Sequence, residues 1–328
     1  MATLYVTSSE KGSGKTGICA GLAKQLAAKG KKIGFLKPVS AAAGADSDAR
    51  FMKQLLSLSE TVDILCPVIK WGSNLSAGIK DAYAKVSHGK DVVIVEGISE
   101  QFQATRDIAT ALNAKVLIVE TYSKEPLKSI DSYKRFGQSL LGVILNKVPQ
   151  TRMEQVQKEA AARLSQAGVN LLGLLPEDRT LLALTVGELA EGIGGEILPG
   201  GEGTQLVENL MLGALGLDPG PEYFGRKANK AAILRSDRPD VQMAALQTST
   251  CCLVLGGSTP LNPVVLNEAK RKGVAIILSG ESVPALTGRI ETVLVKARFN
   301  QLKVSRLVEI MERQLNLQKI CQGLGLAG

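Results

Sequence analysis

The chain has 328 residues, of which 45% are hydrophobic and 21% charged, and its formal net charge is +8. This is the composition of an ordinary globular protein, and the sequence contains neither a run of about 18 apolar residues nor a secretory signal at its start, so we expect a cytoplasmic protein without a membrane span. The basic residues are scattered among acids, which argues against nucleic-acid binding and leaves a surface that attracts anionic ligands. At roughly 150 residues per domain, the length predicts two domains.

Short apolar runs alternate with helix-length amphipathic segments over most of the chain, as in a parallel sheet with crossover helices. We therefore expect an α/β fold with a mostly parallel sheet and helices on both faces. The continuous apolar runs at residues 92–95 and 116–119 are typical of strands buried on both faces, so these strands should be central. The first strands are expected at residues 3–7, 32–38, 91–96, 115–120, 141–146 and 170–176, and helices at 15–29, 45–56, 77–86 and 151–166.

A glycine-rich stretch at residues 192–203 interrupts the pattern and predicts a domain boundary. Further strands and helices then alternate again, which predicts a second, smaller α/β unit. Its strands are expected at 231–234, 251–255 and 274–278, and its helices near 240–247 and 264–271. A last amphipathic helix at 303–315 either packs back on the protein or extends outward as an interaction element.

Between the first strand and the first helix, residues 7–16 read Thr-Ser-Ser-Glu-Lys-Gly-Ser-Gly-Lys-Thr, which is the pattern of a phosphate-binding P-loop. Lys15 can reach the β- and γ-phosphates, and Thr16 can offer its hydroxyl to magnesium. The first glycine of the common pattern is replaced by Ser9, which indicates a variant loop. The sequence therefore predicts that the chain binds a nucleoside triphosphate together with Mg²⁺, and the expected nucleotide is ATP. The loop residues expected to bind the nucleotide are Glu10, Lys11, Gly12, Ser13, Gly14, Lys15, Thr16 and Gly17.

A loop of this kind needs an acid at the end of a neighbouring strand to hold magnesium directly or through water. Glu96 ends the strand at 91–96, and Gly97 after it leaves room for a ligand. Asp48, or with less support Asp46, can complete the site, although acids at this place equally serve as helix caps. The expected magnesium ligands are Thr16, Asp48 and Glu96.

These residues give the chain a resemblance to dethiobiotin synthetase and its relatives. The resemblance rests on the phosphate loop, on Lys37-Pro38-Val39, on Asp48, on Glu96-Gly97, and on the strand that ends Asn146-Lys147. It implies that Lys15 and Lys37 are catalytic and that Asn146 contacts adenine, since an amide can both donate to and accept from one edge of the base. Asn146 can also be a turn residue at the strand end.

One branch of these relatives fits best, namely the dethiobiotin-synthetase-like N-terminal region of long phosphate acetyltransferases, which continues into a DRTGG domain. Residues 172–179, 184–190, 232–240 and 255–257 carry this likeness. Asp178-Arg179-Thr180 is followed by two leucines, so the DRTGG motif is not intact. The likeness covers about residues 1–310 and lacks the acetyltransferase domain. It implies a P-loop domain at 1–198, a DRTGG-like domain at 204–302, and a C-terminal helix and tail at 303–328.

In dethiobiotin synthetase the lysine at the Lys37 position binds the carbamylated or carboxylated substrate, where a cation steadies developing negative charge. Here Lys37 can do the same or neutralise the phosphate site. The glycine-rich continuation of that family is missing, because Glu96-Gly97 is followed by Ile98-Ser99-Glu100. A bulky group and a charge would then stand where the small substrate lies, which argues against dethiobiotin synthesis.

Three functions remain open, and the sequence does not decide whether the protein is an enzyme. The first is a nucleotide-sensing or regulatory module that acts on a separate acetyltransferase-type partner or on a second protomer of a homodimer. The second is an ATP-dependent ligase of the dethiobiotin synthetase or cobyrinate diamide synthase class, acting on a carboxylate or amine. The third is a partitioning-type ATPase dimer, although Glu10 stands where the extra lysine of that class would align and Lys11 is only adjacent.

Polar residues also end two strands of the second predicted unit. Residues 236–238 read Ser-Asp-Arg, and residues 256–258 read Gly-Gly-Ser. Such strand ends form ligand crevices in open α/β sheets, so they indicate either a small effector or anion site or ordinary turn chemistry, and we prefer the turn interpretation.

Overall fold

The computed structural model describes residues 1–38, 46–69, 75–123, 127, 129–213, 220–294 and 297–326. By packing, the chain divides into two compact units, residues 1–177 together with 299–328, and residues 178–298. The division follows Glu177, whereas the glycine-rich stretch at 192–203 lies within the second unit. The domain bounds expected from the sequence, at residues 1–198, 204–302 and 303–328, stay a prediction.

The first unit contains one six-stranded sheet. Its strands are β1 (Ala2–Ser8), β2 (Ile33–Leu36), β3 (Val92–Ser99), β4 (Lys115–Thr121), β5 (Leu140–Val148) and β6 (Leu171–Pro176). The order is β2-β3-β1-β4-β5-β6, and every neighbouring pair is parallel. The predicted α/β class with a mostly parallel sheet is thus confirmed.

Helices connect these strands, as parallel neighbours require. They are α1 (Lys15–Ala28), α2 (Ser47–Leu56), α3 (Val62–Leu65), α4 (Leu75–Ser87), α5 (Phe102–Ala111), α6 (Ile130–Tyr133) and α7 (Met153–Gln166). Two short 3-10 helices, Lys134–Ser139 and Gln150–Arg152, precede β5 and α7. The expected helix at 45–56 corresponds to α2, and its first expected residue, Ala45, lies outside the described residues.

The strands that flank β1 are the most buried part of the sheet. Residues 92–95 of β3 and 116–119 of β4 are 0% exposed, which explains their unbroken apolar runs. Because β1 lies between them, the loop after β1 emerges at the centre of the carboxyl edge of the sheet. This is where open parallel sheets bind ligands.

The second unit is a smaller α/β fold. Its elements are α8 (Arg179–Leu182), β7 (Leu184–Thr185), α9 (Val186–Ile193), β8 (Glu196–Ile197), β9 (Leu206–Val207), β10 (Asn209–Leu212), α10 (Gly220–Gly225), β11 (Lys230–Arg235), α11 (Pro239–Leu246), β12 (Thr250–Gly256), α12 (Pro263–Lys272), β13 (Ala275–Ser279) and α13 (Val283–Leu294). Five strands form a sheet in the order β10-β11-β12-β13-β8, and β8 is antiparallel to β13. Strand β11 sends Ala231 and Ile233 into one apolar cluster and Ala232 and Leu234 into another, so both faces of this sheet are covered.

After the second unit, the chain returns to the first. A 3-10 helix, Gln301–Lys303, leads into α14 (Val304–Gln314) and α15 (Leu317–Gly323). Leu315 forms an antiparallel bridge with Gly173 of β6, and Asn316 N donates to the carbonyl of Leu172 at 2.9 Å. Of the two possibilities left open by the sequence, the last helix therefore packs back. Across the described ranges, no helix combines the length and the apolar character needed to span a membrane.

Candidate nucleotide site

The loop between β1 and α1 adopts a backbone that depends on two glycines. Gly12 has a φ of 74° and Gly14 a φ of 93°, both in the left-handed region that favours glycine. Helix α1 begins directly after Gly14, whose carbonyl accepts from Ile18 N at 3.0 Å. A Cβ at Gly14 would also lie only 2.5 Å from Asn146 Nδ2. The amides at the start of α1 are therefore presented as in an anion-binding helix N-terminus.

Ser9, the residue that departs from the common loop pattern, is fixed by a carboxylate. Its backbone N donates to Glu120 Oε1 at 3.1 Å and its Oγ donates to Oε2 at 2.5 Å. Ser9 does not have a positive φ, so glycine is not required there. Glu120 near the end of β4 is only 6% exposed and was not singled out in the sequence. One sequence signal could have identified Glu120: like Glu96, it is an acid that directly follows the apolar run of a buried strand.

Lys15 lies over two serine hydroxyls. Its Nζ donates to Ser8 Oγ at 3.0 Å and to Ser99 Oγ at 2.5 Å, and the two hydroxyls are 3.0 Å apart. Burial lowers the pKa of Lys15, while attraction to Glu96 counteracts that shift. The two serines were also missed in the sequence, because nothing in their spacing shows that β1 and β3 are neighbours.

The residues expected to hold magnesium meet at the carboxyl ends of β2 and β3. Thr16 Oγ1 donates to Glu96 Oε1 at 2.9 Å. Lys37 Nζ lies 2.6 Å from Asp48 Oδ2, 2.9 Å from Asp46 Oδ2 and 3.9 Å from Glu96 Oε1. Asp46 also caps α2, since its Oδ1 accepts from Ala49 N at 2.8 Å. We call the three carboxyl groups of Asp46, Asp48 and Glu96 the acid cluster.

Glu96 is the most buried member of the acid cluster at 5% exposure. Burial raises its pKa to about 7, although Lys37 works in the opposite direction. Its Oε2 has no hydrogen-bond partner among the described residues. Burial also acts to lower the pKa of Lys37, but attraction to Glu96 and Asp48 outweighs it and raises that pKa.

The end of β5 supports the loop from another direction. Asn146 Nδ2 donates to the carbonyl of Ser13 at 2.9 Å, and Lys147 Nζ donates to the carbonyl of Gly12 at 2.8 Å. Asn146 Oδ1 in turn accepts from Lys147 N at 2.9 Å. Asn146 therefore has a structural partner in the loop, and its expected contact with adenine stays a prediction.

The remaining loop residues have differing surroundings. Glu10 is exposed, and its carbonyl accepts from Ser8 Oγ at 2.6 Å. The side chain of Lys11 is 84% exposed and lies 3.8 Å from that of Glu100. Ser13 is buried, and its Oγ has no partner within the described parts of the chain. Gly17 faces the C-terminal segment, since a Cβ there would lie 3.2 Å from Leu307 Cδ2 and 3.3 Å from Phe299 Cδ2.

The segment after Glu96 corrects one expectation. A Cβ at Gly97 would overlap the ring of Tyr5, so this glycine makes room for a core side chain and not for a ligand. Ile98 N donates to Tyr5 Oη at 3.3 Å, and Thr7 Oγ1 donates to the carbonyl of Ile98 at 2.8 Å. Burial raises the pKa of Tyr5 to about 12, so the phenol stays protonated.

The polar strand ends of the second unit contact one another. Ser236 Oγ accepts from Thr259 N at 3.2 Å, and a Cβ at Gly257, whose φ is 117°, would lie 2.7 Å from the same oxygen. Asp237 pairs with Arg235 and Arg238 pairs with Asp240. These contacts agree with turn chemistry, the interpretation preferred from the sequence.

Two models of known protein families match the chain. A family model described as an AAA domain matches residues 2–184, more than half of the chain. The chain belongs to this AAA domain family. A model of the DRTGG domain matches residues 188–293, next to the AAA domain. Both halves of the resemblance seen in the sequence are thus confirmed.

Individual relatives agree with this arrangement. The phosphate acetyltransferase of Nitrosomonas europaea is 25% identical over 284 residues, which cover 75% of this chain but only 39% of that protein. The chain therefore spans well under half of that relative. The ATP-dependent dethiobiotin synthetase BioD of Methanococcus vannielii is 25% identical over 201 residues, covering 54% of this chain and 94% of the relative. Both relatives match the N-terminal region of this chain.

Solved structures show a weaker likeness. Cobyrinic acid a,c-diamide synthase from Mycobacterium smegmatis, with bound ATP analog and magnesium, has a TM-score of 0.39 and 15% identity, covering 55% of this chain and 88% of that chain. The CBS and DRTGG domains of the Clostridium perfringens pyrophosphatase regulatory region, with diadenosine tetraphosphate, have a TM-score of 0.31 and 11% identity, covering 49% of this chain and 77% of that chain.

Proposed function

We propose that the AAA domain binds ATP with Mg²⁺ and that the protein is a nucleotide-sensing or regulatory module. The observation that carries this proposal is the phosphate loop itself, with Gly14 in the left-handed region and Lys15 and Thr16 opening α1. Backbone amides at a helix start, a partly buried ammonium and a hydroxyl form a site for a polyphosphate.

The residues present also fit a magnesium ion. Thr16, Glu96 and Asp48 offer oxygen ligands: Thr16 Oγ1 donates to Glu96, and Lys37 contacts both Glu96 and Asp48. Glu96 Oε2 is a buried carboxylate oxygen without a partner among the described residues. Within the same part of the chain, no group of three or more His, Cys, Asp or Glu side chains is arranged to hold a metal by itself. This agrees with Mg²⁺, which takes one or two carboxylates and completes its shell with phosphates and water. When bound, the ion would neutralise charge on the phosphates.

A regulatory role is supported by the residues on the carboxyl side of Glu96. Ser99 shares a hydrogen bond with Ser8 and accepts one from Lys15, and Glu100 adopts a φ of 66° next to it. Together with Gly97, which packs on the ring of Tyr5, these residues stand where dethiobiotin synthetase has the glycine-rich continuation that is missing here. An intact phosphate loop next to this departure suits a protein that binds a nucleotide as a signal and does not transfer its phosphate to a small substrate.

The alternative is an ATP-dependent ligase of the dethiobiotin synthetase or cobyrinate diamide synthase class. One observation favours it: Lys37, whose counterpart in the resemblance binds the carboxylated substrate, lies 3.9 Å from Glu96 at the same edge of the sheet as Lys15. A cation there would stabilise an anionic intermediate.

The proposal has three further parts. Asn146 contacts the adenine of the nucleotide, the protein acts on a separate acetyltransferase-type partner, and it forms a homodimer.

Calorimetric titration with ATP and ADP, with and without Mg²⁺, tests the proposal, and phosphate release is followed in the same samples. The test variant is Lys15→Ala, and Lys24→Ala on the exposed face of α1 is the matched control. Magnesium-dependent binding that is lost only in Lys15→Ala, with little phosphate release, supports the sensor. Brisk release supports the ligase, and no binding by the wild type rejects nucleotide binding altogether.

A further inference from the structure

The ammonium of Lys37 contacts three carboxyl groups. It lies 2.6 Å from Asp48, 2.9 Å from Asp46 and 3.9 Å from Glu96, and the side chain of Lys37 is only 19% exposed. Three acids this close repel one another, and a half-buried setting strengthens that repulsion. The ammonium of Lys37 therefore serves as their internal counter-ion.

Two of these carboxyl groups are the ones expected to face magnesium. Glu96 Oε1 accepts from Thr16, the expected hydroxyl ligand, and the same oxygen faces Lys37. Asp48 Oδ2 accepts directly from Lys37 Nζ. A divalent cation that engaged Glu96 and Asp48 would meet a positive charge already bound to both of them. The ammonium and the metal therefore compete for one set of oxygens.

Glu96 Oε2, the oxygen without a hydrogen-bond partner among the described residues, indicates how the competition between the ammonium and the metal is resolved. Oε2 is buried and has no partner among the described residues, whereas Oε1 is shared by Thr16 and Lys37. Buried carboxylate oxygens are normally hydrogen-bonded, so an oxygen left unpaired in a site is a place for a further donor or cation. The acid cluster thus holds the ammonium of Lys37 and still offers Glu96 Oε2 to a second cation.

We propose that Lys37 is a displaceable counter-ion that keeps the acid cluster from binding a divalent cation until a nucleotide is present. This inference rests on the proposed function and adds regulation to the same site. The phosphates of the incoming nucleotide supply anionic oxygens that draw the ammonium off Asp46 and Asp48. The vacated carboxylates then face the metal, and Lys37 faces the phosphates. Metal and nucleotide consequently bind together and not separately.

The test uses Mn²⁺ as a probe, because free Mn²⁺ gives an electron paramagnetic resonance signal that disappears on binding. The 328-residue chain is titrated without nucleotide as wild type, Lys37→Met and Lys37→Arg. Lys90→Met is the matched control, because Lys90 is equally shielded at 18% side-chain exposure and pairs with Glu60 at 3.5 Å, at the opposite end of β3. Thermal unfolding checks that each variant folds. If Lys37→Met does not fold, Lys37→Gln is used in its place.

Removing the positive charge that lies 2.6 Å from Asp48 and 3.9 Å from Glu96 should tighten nucleotide-free Mn²⁺ binding at least about tenfold in Lys37→Met. Lys37→Arg and Lys90→Met should remain as weak as the wild type, and adding Glu96→Gln to Lys37→Met should abolish the gain. Equal Mn²⁺ affinity in wild type and Lys37→Met overturns the inference. This comparison contains no nucleotide, so a failure of ATP binding would be seen separately in the calorimetric titration.

Discussion

Asn146 donates a hydrogen bond from Nδ2 to the carbonyl of Ser13 at 2.9 Å, so the end of β5 holds the phosphate loop in place. The same amide nitrogen lies where a Cβ at Gly14 would collide with it, at 2.5 Å. The glycine and the amide therefore fit each other, and the conformation of the loop depends on both. This gives Asn146 a role that does not require any contact with the base of a nucleotide.

Replacing Asn146 with alanine separates the two roles. Loss of one hydrogen bond to the loop should raise the Kd for the magnesium nucleotide by up to about tenfold. If Asn146 only supports the loop, the loss should be equal for ATP and GTP in calorimetric titrations; if it also contacts adenine, ATP should lose more. Asn170→Ala is the control, because Asn170 likewise donates to a backbone carbonyl, that of Leu141 at 3.1 Å, but lies at the start of β6. An unchanged Kd in Asn146→Ala would contradict both roles.

A second prediction concerns the pair formed by Ser9 and Glu120. Glu120→Ala leaves the N–H and O–H of Ser9 without their acceptor, which should lower the free energy of unfolding by about 1–3 kcal/mol. Chemical denaturation of Glu120→Ala, Ser9→Ala and the double variant measures the coupling, which should be at least about 0.5 kcal/mol for residues in direct contact. Glu177→Ala, at an exposed acid after β6, should be close to neutral. Additive effects of the two substitutions would show that the pair contributes nothing.

Much of this site can be predicted from the sequence because its signals are local. The phosphate loop, Lys37, Asp48 and Glu96 each stand at the end of a predicted strand or the start of a predicted helix, and parallel strands bring such ends to one edge. The full burial of residues 92–95 and 116–119 is likewise expected from their unbroken apolar runs.

The parts that sequence reasoning missed depend on which strands are neighbours. Ser8 and Ser99 meet because β1 pairs with β3, and Ser9 meets Glu120 because β1 also pairs with β4. Strand order cannot be read from the spacing of residues within one strand. The periodicity of α14 likewise shows an apolar face but does not say that α1 covers it. By contrast, the capping box of Thr185 and Glu188 at the start of α9 was a local signal that could have been used.

The burial of Glu96 predicts a dependence of stability on pH. Its pKa is raised by burial to about 7 from 4.5, so the folded protein retains a proton that the unfolded chain has released between about pH 4.5 and 7. The folded state then binds more protons than the unfolded state, and the contribution of Glu96 to the free energy of unfolding falls as the pH rises through this window. Below it, both states are protonated and the contribution is constant.

Glu96→Gln provides the measurement, since glutamine does not titrate. The wild type should lose stability relative to Glu96→Gln as the pH rises from about 4.5 to 7, and the difference should level off above that range. Urea denaturation at a series of pH values gives this difference directly. A difference that stays constant with pH, or one that grows in favour of the wild type, would show that Glu96 is not held at a raised pKa.

The last prediction concerns the return of the C-terminal segment to the first unit. A Cβ at Gly173 of β6 would lie 2.6 Å from the carbonyl oxygen of Gln314 and 3.2 Å from Leu315 Cα, so it meets backbone that cannot rotate away. Gly173→Ala should therefore cost about 1–3 kcal/mol of the free energy of unfolding and loosen residues after Gln314. Gly288→Ala in α13 is the control, because a Cβ there meets nothing within 4 Å, and it should be neutral or slightly stabilising. Limited proteolysis should release the C-terminal segment faster from Gly173→Ala than from the wild type. Equal proteolysis and equal stability would show that the bridge between Gly173 and Leu315 does not hold the segment on β6.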